Sequence, residues 1–397
     1  MKKISVFGDL MCEPSLLKAS KKKDGTYDFS PVFSQIKPMI AESDFCIGNL
    51  EFPMAGKDAK YTDTFVEFNT PDSYAIAVKD AGFDLVATVN NHTLDRGWDG
   101  AVRTLKVLDE IGLDHTGNFY SKDDRKEAFY FELEGKKYAV ISYTYSCNLH
   151  LPVGDERIGA INLLRDMEMP TYTPEIYKKM NSWVEKVFKG VKEETQAQIR
   201  RVVGLPPVII RGDDSMVADM VAPYMANLKA DVEKAKENAD CVIAYLHLGG
   251  QFNIEPGVFS KFVMNEITKM GVDMVIASHS HLVQRAEMIN GVPCAYSIGN
   301  VTMCPWSPLM VKEVLPDYAI VLHLYVEEGK IVKTTFSIIK GVEKKGEQLV
   351  SYPVDVLYEK KGTDKKQLEE DVKVIYKQFL CKELTEEIIR KEYPFEV

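Results

Sequence analysis

His279 and His281 stand one residue apart near the end of an apolar run, Asp273-Met-Val-Ile-Ala-Ser-His-Ser-His-Leu-Val-Gln284. Side chains alternate faces along an extended chain, so both imidazoles leave a strand end on the same side, spaced to share a metal ion or a phosphate. An isolated His-x-His is as compatible with a surface accident as with a ligand pair. The pair gains weight because other apolar runs end in the same way. Asp9 follows Ile4 to Phe7, Asn49 and Glu51 follow Asp44 to Ile47, Asn91, His92 and Asp95 follow Asp84 to Val89, and His247 follows Asp240 to Leu246. Taken singly, Asp9 and Asn49 could close turns or cap helices, Asn90-Asn91 could form a left-handed turn, and His247 could be a core histidine. Taken together, carboxylate, amide oxygen and imidazole make a mixed ligand set suited to Mn, Zn or Fe.

The elements that must position these groups alternate strand, polar loop and helix. Helical periods run over Pro31 to Glu42, over 72–82 with Asp72 as a start and Gly82 as a stop, over Gly100 to Ile111 closed by Gly112, over Ala222 to Ala239 and over Phe259 to Met270. This is the pattern of an α/β protein, in which ligands gather outside the carboxyl ends of the strands, so the five loops are expected to converge on one rim. Phe129 to Leu133 and Lys137 to Tyr143 flank Glu134-Gly135-Lys136 as a hairpin. Pro293 to Ile298 is a further strand, ending in Gly299-Asn300. Residues 318–340 read as an antiparallel hairpin at the far edge of a sheet, with His323 as an ordinary strand histidine. Residues 155–225 read as a helical insert, with runs near Ile176 to Val191 and Glu193 to Val203. The charge-rich tail reads as helical over Lys365 to Leu380 and Thr385 to Lys391. The expected division is a main domain over 1–340 and a helical extension over 341–397.

A chain of 397 residues, 45% hydrophobic and 27% charged, is ample for a buried core of one large or two modest domains. A net charge of -10 argues against nucleic acid or an anionic membrane as the main partner, since phosphate binding draws on Lys and Arg clusters. The seven cysteines are scattered without a CxxC, which suggests buried free thiols in a reducing compartment. The first apolar run is broken by Gly8 and Asp9, and no stretch approaches the roughly 18 apolar residues of a membrane span. A cytoplasmic protein without a membrane span is expected.

Gly8-Asp9-Leu-Met, Gly48-Asn-Leu-Glu51, Asn90-Asn-His-Thr-Leu-Asp95-Arg-Gly97, His247-Leu-Gly249, Ser278-His-Ser-His-Leu-Val-Gln284 and Tyr296-Ser-Ile-Gly-Asn300 form an ordered series. The series resembles that of the bacterial capsule synthesis proteins of the CapA/PgsA family, associated with poly-γ-glutamate and similar to calcineurin-like metallophosphoesterases. The resemblance covers about residues 3 to 150 and 226 to 305. It implies a sandwich of mixed β-sheets flanked by helices and a site with one or two divalent ions. Asp9 and Glu51 would supply carboxylates, with Glu51 as the bridge. Asn91, His247 and His279 would complete one ion, and His281 would join Asp9 on the other. His92 would serve as general acid or base, oriented by Asp95, while Asn49 and Asn300 would face the substrate.

The implied function is metal-dependent hydrolysis of a phosphoester, or of an amide in a small-molecule, peptide or polyglutamyl substrate. The alternatives are epimerisation with His92 as the acid/base, or a non-catalytic assembly factor, and a homo-oligomer is compatible with each. The chain departs from phosphoesterases at Asp9-Leu10-Met11, where they carry Asp-x-His, which leaves one ion a ligand short. Ala277, Ser280, Gln251 and Phe252 also replace the usual Gly, Pro, Glu and Tyr.

Overall fold

The structure is a computed structural model that describes residues 1–63, 67–169, 186–187, 190–191, 216–303, 315–343 and 347–397. Fourteen strands among the described residues form two sheets. The first contains β1 (Lys2–Leu10), β2 (Phe45–Leu50), β3 (Leu85–Ala87), β4 (Asp114–Thr116), β11 (Tyr318–Glu327), β12 (Lys330–Val342), β13 (Val350–Pro353) and β14 (Tyr393–Pro394), in the order β13-β12-β11-β1-β2-β3-β4 with β14 also on β12. The second has the order β5-β6-β7-β8-β10-β9, from β5 (Phe129–Leu133), β6 (Lys136–Thr144), β7 (Cys241–His247), β8 (Met274–Ser278), β9 (Val283–Ile289) and β10 (Val292–Ile298). β1 to β4 run parallel, as do β6, β7, β8 and β10.

The apolar runs have no polar alternation because both faces of each sheet are covered. In β7, Cys241, Ile243 and Tyr245 enter the core between the sheets, while Val242, Ala244 and Leu246 pack under the outer helices. β1 divides in the same way, with Ile4 and Val6 facing the second sheet and Phe7 and Leu10 facing the helices of the other side. Helices Ala218–Asn238 and Val258–Met270 cover the second sheet. The result is an α/β architecture of two mixed sheets flanked by helices.

Several local expectations are corrected. Residues 31–42 form two short helices, Ser30–Phe33 and Lys37–Ala41, because Pro38 starts a new first turn where its missing N–H costs nothing. Asp72 precedes the helix Ser73–Ala81 without capping it, since its carboxylate takes two 2.8 Å hydrogen bonds from Arg103. β9 had no counterpart in the sequence reading. It is paired to β10 through Asn290 (φ 50°) and Gly291 (φ 79°), a turn that needs positive φ at both residues.

The 318–340 hairpin does not lie at a far edge, because β11 pairs with β1 in the middle of the sheet. Lys365–Leu380 is helical and buries Leu368, Val372, Ile375 and Phe379 in the inter-sheet core. Residues 385–391 are not helical, because the segment lies across the sheet: the Lys391 carbonyl accepts from Ser337 Oγ and Tyr393 follows as a strand. The insert's helical runs, Ile176 to Val191 and Glu193 to Val203, fall outside the described residues apart from 186–187 and 190–191. Cys12, Cys46, Cys147, Cys241 and Cys294 are buried free thiols, Cys381 is exposed, and Cys304 lies outside the described residues. Among the described residues no helix is long and apolar enough to cross a membrane.

Candidate metal centre

The two sheets meet where β1 ends. The Asp9 N–H donates to Gly299 O at 3.0 Å, and Asp9 O accepts from Val301 N at 2.8 Å, so the residue after Gly8 is stitched to the segment that follows β10. Asp9 is also opposite Asn49 in the β1–β2 register, and His247 is opposite Ser278 in the β7–β8 register. The carboxyl ends of strands from both sheets therefore open onto one buried rim.

All ten expected site residues are at that rim or directly behind it, and none is more than 4% exposed. Glu51, His247 and His279 each offer a ligand atom within 4.8 Å of the others, and so do Asp9, Glu51 and His281. Glu51 is common to both groups. Asn91 Oδ1 lies 2.8 Å from His247 Nε2, on the side of the first group. Asn49 donates from Nδ2 to Asp9 Oδ1 at 2.7 Å and lies 3.1 Å from His247 Nδ1. Asn300 places Oδ1 2.9 Å from His281 Nδ1 and donates from Nδ2 to the His281 carbonyl. Both amides are thus engaged with neighbouring groups of the site.

These residues fit a divalent cation. Among the described residues neither oxygen of Glu51 has a hydrogen-bond partner, and neither does His281 Nε2. Those atoms face one another across 3.7 Å, and His247 Nε2 lies 3.5 Å from the same carboxylate oxygen. A buried carboxylate without donors is strongly unfavourable unless a positive charge accompanies it. Burial, followed by the Asp9 carboxylate, holds the Glu51 carboxyl well above its ordinary range. Burial, then the His279, His281 and His92 rings, pushes His247 well below 6.5, so it stands neutral and able to coordinate.

Met11 occupies the place of the missing ligand, but its side chain enters the apolar cluster on the outer face, so Asp9 is the group of this strand that could hold an ion. Ser280, in place of proline, accepts from Leu282 N and donates to Leu282 O, closing the turn between the two histidines. Phe252 packs its ring 5.6 Å from His281.

His92 sits beside the ligand groups on the loop after β3. Its Nδ1 lies 2.6 Å from Asp95 Oδ2, which also accepts the Phe68 N–H at 2.7 Å. Asp95 thereby fixes the Nδ1 side of the His92 ring. Three contributors were not anticipated. Phe68 lies edge-on to His92 at 4.5 Å, Asn148 accepts from Asn91 Nδ2 at 3.3 Å beside the His92 ring, and Tyr145 lies 4.7 Å from His279. Tyr145 and Asn148 follow β6, so the rule that ligands gather at carboxyl ends would have found them had it been applied to that strand.

Residues 3–303 match the family described as bacterial capsule synthesis protein PGA_cap. The PGA biosynthesis protein CapA of Bacillus subtilis (strain 168) is 22% identical over 298 residues, 75% of this chain and 62% of that protein. The capsule biosynthesis protein CapA of Bacillus anthracis is 23% identical over 300 residues, 75% of this chain and 58% of that one. The match spans about three-fifths of the length of these relatives. Among solved structures, a hypothetical protein from Thermus thermophilus is similar with a TM-score of 0.38 and 13% identity, over 88% of this chain and 97% of that one. The motif series from Gly8 to Asn300 falls inside the matched residues, and the chain belongs to the bacterial capsule synthesis protein family PGA_cap.

Proposed function

We propose that this protein is a metal-dependent hydrolase that cleaves a phosphoester, or an amide in a glutamyl or peptide substrate, with one or two ions of Mn, Zn or Fe. The observation that carries the reading is Glu51: a fully buried carboxylate with no hydrogen-bond partner among the described residues, common to the group with His247 and His279 and the group with Asp9 and His281. When bound, a divalent cation supplies Lewis acidity toward a phosphoryl or carbonyl oxygen and toward water. Asp9, Glu51, Asn91, His247, His279 and His281 would hold it. His92 would hand a proton from Nε2 to the leaving group, while Asp95 keeps the ring turned and balances the charge that develops on it. The relatives' names, PGA and capsule biosynthesis, favour including a γ-glutamyl amide among the substrates tested.

The test uses the purified chain, stripped with chelator and resupplied with Mn²⁺ or Zn²⁺, on bis(p-nitrophenyl) phosphate and on γ-glutamyl-p-nitroanilide. Turnover should require the ion and fall by about 10²- to 10⁴-fold in His92→Ala. A chain that takes up neither ion in equilibrium dialysis, or a His92→Ala variant with full activity, overturns the reading. Tight ion uptake with no turnover of either class would favour the assembly-factor role.

A further inference from the structure

His279 holds φ at 108°, a backbone conformation that L-residues rarely adopt and that persists only when the surroundings impose it. One restraint is its own N–H, which donates to Asp9 Oδ2 at 3.2 Å. The other is an aromatic wall. Tyr145 donates its N–H to the His247 carbonyl at 2.9 Å, and its ring lies 4.7 Å from the His279 ring. The same ring is 6.5 Å from the His247 ring and within 16° of parallel to it.

Behind Tyr145 stands Arg165, 1% exposed, with its guanidinium 4.9 Å over the Tyr145 ring and 5.1 Å over Phe259, and its Nε donating to Tyr145 O at 3.2 Å. A guanidinium sandwiched between two aromatic faces is favourable for Arg in a way that Lys does not reproduce. The column Phe259, Arg165, Tyr145, His279 leaves the His279 ring little room to swing away from Glu51 and His247.

We propose that Tyr145, braced by Arg165, is a positioning residue that holds His279 in its strained conformation and thereby sets the geometry of the Glu51, His247 and His279 group. This inference rests on the metal-centre reading above. Tyr145 acts through His279 and has no chemical step of its own, so its ring is required and its hydroxyl is not.

Isothermal titration of the metal-stripped full chain with Zn²⁺ and Mn²⁺ tests it, beside thermal unfolding of each metal-free protein. Tyr145→Phe should bind like the wild type. Tyr145→Leu and Arg165→Met should bind about 10- to 100-fold more weakly, the usual effect of losing an outer-shell support. Wild-type affinity in a folded Tyr145→Leu protein, or equal loss in Tyr145→Phe and Tyr145→Leu, overturns the inference. Should Tyr145→Leu not fold, Arg165→Met, which keeps the ring and removes its brace, carries the same comparison. If the wild type binds no ion, the metal-centre reading fails, and the crystal structure of metal-free Arg165→Met decides separately. His279 relaxing from positive φ supports the bracing role, and His279 unchanged overturns it.

Discussion

Gly8 and Gly299 touch through their backbones: a Cβ at Gly8 would lie 1.9 Å from Gly299 O and 2.9 Å from its carbonyl carbon. The obstacle is main chain, which cannot swing aside as a long side chain could. The contact is also what places Asp9, the next residue, between the two sheets. Gly8→Ala should therefore push β1 away from the segment after β10 and cost about 1 to 3 kcal/mol of stability, the usual penalty of overpacking. The urea midpoint should fall, and ion affinity should weaken with it because Asp9 moves. An unchanged midpoint would show that the sheet junction tolerates the extra methyl.

Glu51 is expected to harm the metal-free protein and help the loaded one. Burial, then the Asp9 carboxylate, raises its pKa in the folded state. An acid with a raised folded pKa keeps a proton that the unfolded chain has released, so stability is lost as pH rises from about 4.3 through the folded value. Glu51→Gln should therefore melt higher than the wild type at pH 8 without metal. Adding Zn²⁺ should raise the wild-type Tm strongly, since an ion at 100 times its dissociation constant contributes about 2.7 kcal/mol, and should hardly move the variant. Equal metal-induced shifts in the two proteins would place the ion elsewhere.

The site was more legible in the sequence than the sheet edges were. Asp9, Glu51, His247, His279 and His281 are marked because a buried strand ending abruptly in a charged or imidazole group has few reasons to do so, and the signal repeats. Position within a sheet leaves no such mark. β11 and β12 alternate as an edge hairpin would, because His323 and Ser337 are polar positions that are buried and bonded to each other, His323 also to Ser5 of β1, and not solvated. β9 escaped because Gln284, Arg285 and Glu287 break its apolar run, although Asn290-Gly291 marked the turn. Tyr145 and Asn148 escaped because β6 ends in Thr144, without the charged or imidazole group that marks the other strand ends.

His323 gives an acid-sensitive contribution distinct from the metal centre. It is fully buried, with Nδ1 2.8 Å from Ser5 Oγ and Nε2 2.9 Å from Ser337 Oγ. Burial, then the Lys3 charge, brings its pKa down to about 3. Below about 6.5 the unfolded chain takes up a proton that folded His323 refuses, so stability is lost as pH falls from about 6.5 to about 3. Beside it, burial disfavours the Glu392 carboxylate, but hydrogen bonds from Lys3, Thr335 and Tyr325 outweigh this and bring it to about 2. That contribution is complete above about 4.3 and is lost as pH falls through about 2. His323→Gln, which keeps a polar side chain but cannot titrate, should show a shallower fall in urea midpoint between pH 6.5 and 4 than the wild type. Parallel slopes would assign the acid sensitivity to other groups, with the buried His247 and His281 first among them.

Asn148 decides which end of the Asn91 amide faces the ligand groups. Its Oδ1 lies 3.3 Å from Asn91 Nδ2, its N–H donates to the Asn91 carbonyl at 2.6 Å, and its Nδ2 lies 3.4 Å from His92 Nδ1. With Nδ2 of Asn91 held by Asn148, Oδ1 is the end left facing His247 Nε2 at 2.8 Å. An amide turned the other way would aim N–H donors at an ion and repel it. Asn148→Leu removes the acceptor that fixes this choice and should weaken ion binding by about 10- to 100-fold. Asn148→Asp keeps an acceptor in the same place and should hold Asn91 in the same sense, so its affinity should stay near the wild type. Titration with Mn²⁺ separates the two variants. Equal loss in both would mean that the loop after β6 acts through its packing, and that the Asn91 amide is oriented without help from Asn148.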